Sequence, residues 1–329
     1  MGSTLRLTTA EAVARLRGGL HDRADDFHAM YSSVLGGIVT DPALMVLPLD
    51  DHMVHRGHAV FDTAAIVDGM LYQLDPHLER LLRSAEMARI PLPFEPQQLR
   101  RIVIDTAAAS GQRNASVRYW LSAGPGGFGL SSRECAHSSF YVMIFRPVPE
   151  PEHFYTEGVK LVTSTVPIKP PYFARVKSNN YLPNALVLLE AKDRGADHGL
   201  FIDAQGYVAE SSHMNVAFVS SDNVLCHPAF DAILTGITAQ RMLYLARQLV
   251  NSGELEGIAL RNLPIQEWKA AREILLLGSS LKVAPVVRWD DQVVGDGRPG
   301  PIARKLLAMW QADQKEAADQ LVPVPYADA

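Results

Sequence analysis

The chain has 329 residues, 47% of them hydrophobic and 20% charged, and carries a formal charge of −5. That length suits two domains with substantial cores, the apolar content excludes disorder, and the mild acidity gives no electrostatic case for nucleic acid or an anionic membrane. Two cysteines, Cys135 and Cys226, exclude a disulfide framework and lack metal-ligand spacing, so both are expected as reduced thiols in a cytoplasmic protein.

The opening residues lack the charged, apolar and cleavage regions of a signal peptide, and Arg6 stands where a myristoylation signal needs Ser or Thr. No apolar run approaches the roughly 18 residues needed to cross a bilayer. Thr9 followed by "AEAVARL" predicts a capped amphipathic helix. Asp-Gly at 68–69 predicts a hairpin with strands near 60–67 and 70–74. "PHLERLLRSAEMARI" then has helical periodicity, with Leu78, Leu81, Leu82 and Ala85 on one face, and "PQQLRRIVIDTAAAS" predicts a second helix ending at Gly111. Two strands follow, "ASVRYWLSA" and "SSFYVMIFRP".

The three prolines of "RPVPEPEHF" read as a linker. Beyond it come a strand "GVKLVTSTV", a helix "PNALVLLEAKDRG" and strands "GLFIDA", "YVAES" and "NVAFVS". A helix "ITAQRMLYLARQLV" and strands "EILLLGS" and "SLKVAPVV" complete the pattern. The fold class is therefore α+β rather than a doubly wound parallel sheet. The expected division is a small N-terminal α+β domain with a leading helix over 1–147, a linker over 148–157, and a larger C-terminal domain over 158–329.

"GPGGFG" at 124–129 fits G-x-G-x-x-G literally, but a strand rather than a helix follows it. Pyrophosphate would have no helix N-terminus to sit on, so the stretch reads as a flexible loop between two strands.

The basic residues comprise 23 Arg and only 8 Lys, and no lysine precedes Lys160. Lys177 stands among Asn179, Asn180, Tyr181 and Asn184, with Pro183 placed to open a helix. A lysine beside a helix start is ordinarily solvated. An amine in a partly apolar, polar-lined pocket instead has a lowered pKa and condenses with an aldehyde such as pyridoxal 5′-phosphate (PLP). That cofactor also needs a phosphate cradle and partners for its ring nitrogen and ring hydroxyl. "LTGITAQRM" offers a helix N-terminus at Gly236, Ile237 and Thr238. Ser279 and Ser280 offer a hydroxyl-rich turn, and Arg80 a bidentate contact. Glu210 is a candidate for the ring nitrogen and Tyr181 for the ring hydroxyl. Each feature alone has a plain structural reading as a cap, a turn, a surface arginine or an edge-strand glutamate.

Taken jointly, "HLERL", "KSNNYLPN", "VAESSHMNVAF", "LTGIT", "GSSLKVAPV" and "VGDGRPGPIARKL" resemble the class IV aminotransferases, the fold-type IV PLP enzymes. The resemblance covers some four fifths of the chain. "HRGHAVFDT", "RYWLSAGPG" and "IKPPYFARVKSNNYLPN" resemble the plant-type D-amino-acid transaminases within that family. It implies a fold-type IV architecture, with a small N-terminal α+β domain, a larger C-terminal α/β domain that binds PLP, and a homodimer sharing a loop across its interface. It implies Lys177 as Schiff-base lysine and general acid/base, Glu210 on the pyridine nitrogen, and Arg80, Gly236, Ile237, Thr238, Ser279 and Ser280 at the phosphate. Tyr181 would contact the ring hydroxyl.

The pattern departs at the substrate end, where Phe61 and Asp62 stand in the stretch in which bacterial D-amino-acid transaminases carry a tyrosine. His55, Arg56 and Arg118 are the candidates there for a substrate carboxylate, with a structural reading of Arg118 equally open. The expected reaction moves an amino group from an amino donor, a D-amino acid first, to a 2-oxo acid by a ping-pong mechanism. R-selective amine transamination, branched-chain transamination and aminodeoxychorismate lyase activity stay open on the same fold, as does a PLP-binding scaffold without turnover.

Overall fold

The computed structural model describes residues 4–19, 23–262 and 264–327, so the expectations for residues 1–3 lie outside the described residues. The chain divides into one unit of residues 1–147 with 320–329 and a second of residues 148–319.

The first unit opens with helix α1 (Thr9–Gly19). Its cap is Thr8 rather than Thr9: the Thr8 hydroxyl accepts from the Glu11 amide while the Glu11 carboxylate accepts from the Thr8 amide. Six strands follow in this unit, β1 (Phe27–Ser32), β2 (Gly37–Val39), β3 (Ala59–Val67), β4 (Met70–Tyr72), β5 (Ala115–Ser122) and β6 (Ser139–Phe145). Helix α2 (His52–His55) precedes β3, and α3 (Leu74–Met87) and α4 (Pro96–Ala109) lie between β4 and β5. The expected second hairpin strand is shorter than 70–74, because Gln73 takes a left-handed conformation and Leu74 begins α3.

These strands form an antiparallel sheet in the order Leu321–Pro323, β4, β3, β5, β6, β1, β2. Alternation along β3 and β5 sends Ala64, Ile66, Val117, Tyr119 and Leu121 into the core, and α3 and α4 pack on the sheet. Leu78, Leu81 and Ala85 of α3 are buried as expected, with Leu82 half-buried at the margin. Phe61, Thr63, Arg118 and Trp120 take the alternate, half-buried positions of the same strands.

The second unit is a mixed sheet with helices. Its strands are β7 (Val159–Thr163), β8 (His198–Ile202), β9 (Val208–Ser211), β10 (Asn215–Val219), β11 (Val224–His227), β12 (Gly257–Leu260), β13 (Glu273–Gly278), β14 (Lys282–Trp289) and β15 (Gln292–Val293). They run in the order β12, β11, β10, β13, β14, β7, β8, β9, with β15 on β14. Helices α5 (His153–Thr156), α6 (Pro171–Ala174), α7 (Leu182–Asp193), α8 (Ile237–Leu245), α9 (Arg247–Asn251), α10 (Ile265–Lys269) and α11 (Pro301–Glu316) complete it. Buried Val216, Phe218, Ile274, Leu276, Ala284, Trp268 and Trp289 lie in one core cluster.

Two expected boundaries move. Residues 148–157 are not a free linker, since α5 forms there and Phe154 is buried in the second unit's core cluster. The C-terminal domain does not run to 329, because Leu321–Pro323 pairs with β4 in the first unit. The expected single helix over 237–250 is two, α8 and α9, meeting at Ala246.

Candidate active site

In the second unit, Lys177, Tyr181 and Glu210 come together with the start of α8. Buried Ala174 and Val176 anchor the chain before Lys177, and Tyr181 caps the start of α7. The turn between them, closed by the Tyr181 amide on Asn179 O at 2.8 Å, brings Lys177 Nζ to 3.0 Å from Tyr181 Oη. Pro183 occupies the second helical position rather than the first, because α7 begins at Leu182.

Glu210 lies within the edge strand β9, not at a strand break, and its side chain is buried rather than facing water. Its Oε2 accepts from the Leu234 amide at 3.3 Å. Burial pushes the carboxyl up to about 7, against the pull of Lys169, the Leu234 amide and Lys177. Ionising such a group costs free energy that a cation hydrogen-bonded to it would offset.

At the start of α8, Gly236 is the cap and no side chain fills that role. A Cβ there would meet Asn215 Oδ1 at 1.8 Å, so only glycine lets the chain pass this side chain. Asn215 in turn donates to Leu234 O at 3.0 Å, fixing the turn into the helix. Thr238 Oγ1 and Ser279 Oγ stand 3.2 Å apart, joining the helix start to the β13–β14 turn. Ile237 and Thr238 are buried, whereas Ser279 and Ser280 are exposed.

These residues fit PLP on their own chemistry. Lys177 is an amine for the aldehyde, Tyr181 a phenol for the ring hydroxyl, and Glu210 a buried carboxylate suited to a protonated pyridine nitrogen. The α8 start presents amides beside two hydroxyls, the donor set that phosphate takes.

The first unit's candidates have partners of their own. Arg80 is buried, and its Nε and Nη2 donate to Asp62 Oδ2 and Oδ1 at 2.8 and 2.7 Å. His77 Nδ1 lies 2.8 Å from the same carboxylate. Burial alone would raise the Asp62 carboxyl, but Arg80 and His77 hold it well below the usual carboxylate range. Arg56 donates from Nε to Gly129 O at 2.9 Å, from Nη1 to His55 O at 3.0 Å, and from Nη2 to Phe128 O. His55 stacks on Phe128, with ring centroids 5.0 Å apart. His55 and Arg56 thus hold the 124–129 loop.

That loop is closely packed. Gly124 has φ +102°, and a Cβ there would lie 1.8 Å from His137 O. Gly126 packs on Cys135, and Gly127 and Gly129 on Glu134. On β5, Arg118 donates to Thr63 Oγ1 at 3.0 Å and lies 5.5 Å from the ring centroids of both Phe61 and Phe145.

Sequence reasoning overlooked three residues. Asp62 enters the sequence pattern only as a departure, although its i, i+2 alternation with buried Ala64 and Ile66 marks it as inward-facing. Asn215 lies within a quoted motif, but its role against Gly236 depends on a contact across 21 residues. Lys169, whose Nζ lies 5.1 Å from the Tyr181 ring centroid, carried no signal beyond the scarcity of lysine.

Comparison with known proteins gives a consistent set of likenesses. The family model for amino-transferase class IV matches residues 59–289. A chloroplastic D-amino-acid transaminase of Arabidopsis thaliana is 48% identical over 96% of this chain and 83% of its own length. A D-alanine aminotransferase of Bacillus licheniformis is 25% identical over 84% of this chain and 95% of its own length. Among solved structures, a branched-chain amino acid aminotransferase from Escherichia coli covers 91% of this chain and 99% of its own, with a TM-score of 0.80 at 22% identity. The last is a likeness of fold.

Proposed function

The chain belongs to the class IV aminotransferases, and from that premise we propose that it is a PLP-dependent transaminase acting between a D-amino acid and a 2-oxo acid. The observation that carries the reading is the Lys177 amine at 3.0 Å from the Tyr181 phenol, with the buried Glu210 carboxyl under the charge of that same amine. The preference for D-amino acids is supported by the 48% identity to the Arabidopsis relative.

When bound, PLP supplies an aldehyde to carry the amino group and a ring that draws electron density from the substrate's alpha carbon. Lys177 would hold the aldehyde. Its free Nζ would take the substrate's alpha proton and give it back, a proton transfer typically worth about 10²–10⁴-fold. Glu210 would accept from the ring N–H and keep that nitrogen protonated. Tyr181 would orient the ring through its hydroxyl and the lysine through its hydrogen bond. The amides at Ile237 and Thr238, with the Thr238, Ser279 and Ser280 hydroxyls, would bind phosphate, and Gly236 would let them approach it. Arg80 is assigned to phosphate and Arg118 to the substrate carboxylate, with Phe61 as an apolar wall. His55 and Arg56 are assigned to substrate through the loop they hold.

The assembly in this proposal is a homodimer. Phe128 and Leu130 are 63% and 85% exposed on a tightly held loop, and a second copy would cover them. No helix among the described residues is long and apolar enough to cross a membrane. A cytoplasmic location is part of the proposal, supported by the two unbridged cysteines.

The test is a half-reaction screen on the PLP-loaded protein, following loss of its visible absorbance with D-alanine, D-glutamate, L-leucine and R-1-phenylethylamine separately. Bleaching by the D-amino acids is expected. Bleaching by L-leucine alone overturns the substrate preference, and pyruvate release without an acceptor points to a lyase. Failure to bind PLP overturns the reading itself.

A further inference from the structure

Two of the 8 lysines of the chain approach one aromatic ring. Lys177 Nζ lies 5.5 Å from the Tyr181 ring centroid and bonds its hydroxyl, while Lys169 Nζ lies 5.1 Å from the same centroid. The backbone fixes this arrangement. Pro170 follows Lys169 and confines it to an extended conformation, and Pro171 opens α6. Ala174 and Val176 then bury themselves, so that two lysines eight positions apart return to the same side chain.

We propose that Lys169 is a positioning residue of the cofactor pocket, its ammonium steering both the Tyr181 phenol and the Glu210 carboxylate. The inference rests on the PLP reading above and adds a residue outside its motifs. The attraction of an ammonium to an aromatic ring restrains the phenol that orients both Lys177 and the cofactor hydroxyl. The same charge acts on Glu210. Facing that carboxylate are Lys169, the Leu234 amide and Lys177, and Lys169 exerts the largest of the pulls toward the ionised form. Lys177 would commit its amine to the aldehyde, whereas Lys169 would keep its ammonium free for this role. Lys169 is half-buried and makes no salt bridge among the described residues.

The experiment uses the full chain with Lys169→Met, Lys169→Arg, Glu210→Gln and the double variant Lys169→Met/Glu210→Gln. PLP affinity is measured by titration of visible absorbance across pH, and stability of the cofactor-free chain by denaturation across the same range. Lys169→Met is expected to weaken PLP binding several-fold. It is also expected to carry the loss of cofactor-free stability on to higher pH, because the Glu210 carboxyl then keeps its proton longer. Lys169→Arg should restore both, and in the Glu210→Gln background Lys169→Met should leave the pH slope unchanged. Coincident stability–pH curves for wild type and Lys169→Met, or an arginine that fails to restore the wild-type curve, overturn the proposal. A wild-type chain that binds no PLP would sink the functional reading alone, since the cofactor-free stability cycle still decides whether Lys169 acts on Glu210.

Discussion

Asp62 and Arg80 meet at two points, Oδ2 to Nε at 2.8 Å and Oδ1 to Nη2 at 2.7 Å, with both side chains buried between β3 and α3. The guanidinium is therefore held by a carboxylate two residues from Ala64 in the core. Breaking such a pair leaves an uncompensated buried charge, at a cost of about 3–5 kcal/mol. Asp62→Ala is expected to lower chemical-denaturation stability by that order, and more than Asp62→Asn, which keeps an acceptor for Arg80. Because the folded carboxyl is held low, its contribution is present above the unfolded value of 3.8 and is lost as pH falls toward its folded one. A wild-type acid-unfolding curve superimposing on that of Asp62→Asn would refute this account.

Lys177→Ala should lower turnover by at least about 10²–10⁴-fold while leaving the circular dichroism spectrum and unfolding midpoint near wild type. The side chain is half-buried and supports no core cluster, so loss of activity without loss of fold is the expected pattern. Borohydride treatment of the PLP-loaded wild type should fix the label on the peptide that contains residue 177. A label elsewhere would reassign the reactive amine.

Glu210 gives stability the opposite pH sign from Asp62. Its folded value of about 7 lies above the ordinary 4.5, so the folded cofactor-free chain holds a proton that the unfolded chain releases. Stability should fall as pH rises between those values, by roughly 3 kcal/mol in total, and be level on either side. Glu210→Gln should remove the slope and weaken PLP binding, readable by denaturation and by equilibrium titration.

Gly236→Ala places a methyl group where Asn215 Oδ1 now sits. Asn215 must swing away, breaking its bond to Leu234 O and disturbing the turn that aims the α8 amides. Inorganic phosphate, competing with PLP, should bind the variant more weakly. A Gly236→Ala/Asn215→Ala double variant, with room for the methyl group, should recover part of the loss.

The elements most legible in the sequence were those with strong periodicity. Strands β3 and β5 and helices α3 and α4 follow the alternation or helical spacing of their own residues, and local burial enforces it. Short strands were not legible. β2, β12 and the Leu321–Pro323 strand each have three or four residues, too few for a period, and take their conformation from a partner elsewhere in the chain. The same division holds for the site. Lys177 and Tyr181 are four residues apart, and a turn brings them together. The part played by Asp62 depends on Arg80, 18 residues on, and the loop-holding part of Arg56 on carbonyls more than 70 residues away. Glu210 read as an edge glutamate because β9 is an edge strand, and sequence could not tell which way its side chain turns.

The strand at Leu321–Pro323 has a consequence for how the protein is made. It covers the open side of β4, and Gln320 bonds Gln73 across 247 positions. During synthesis the first sheet leaves the ribosome long before that segment exists, exposing a row of unpaired amides and carbonyls. A chaperone, or slow translation downstream, would matter most in that interval. Deleting residues 320–327 should leave the emerging sheet prone to sticking edge to edge, with insoluble product as the visible sign.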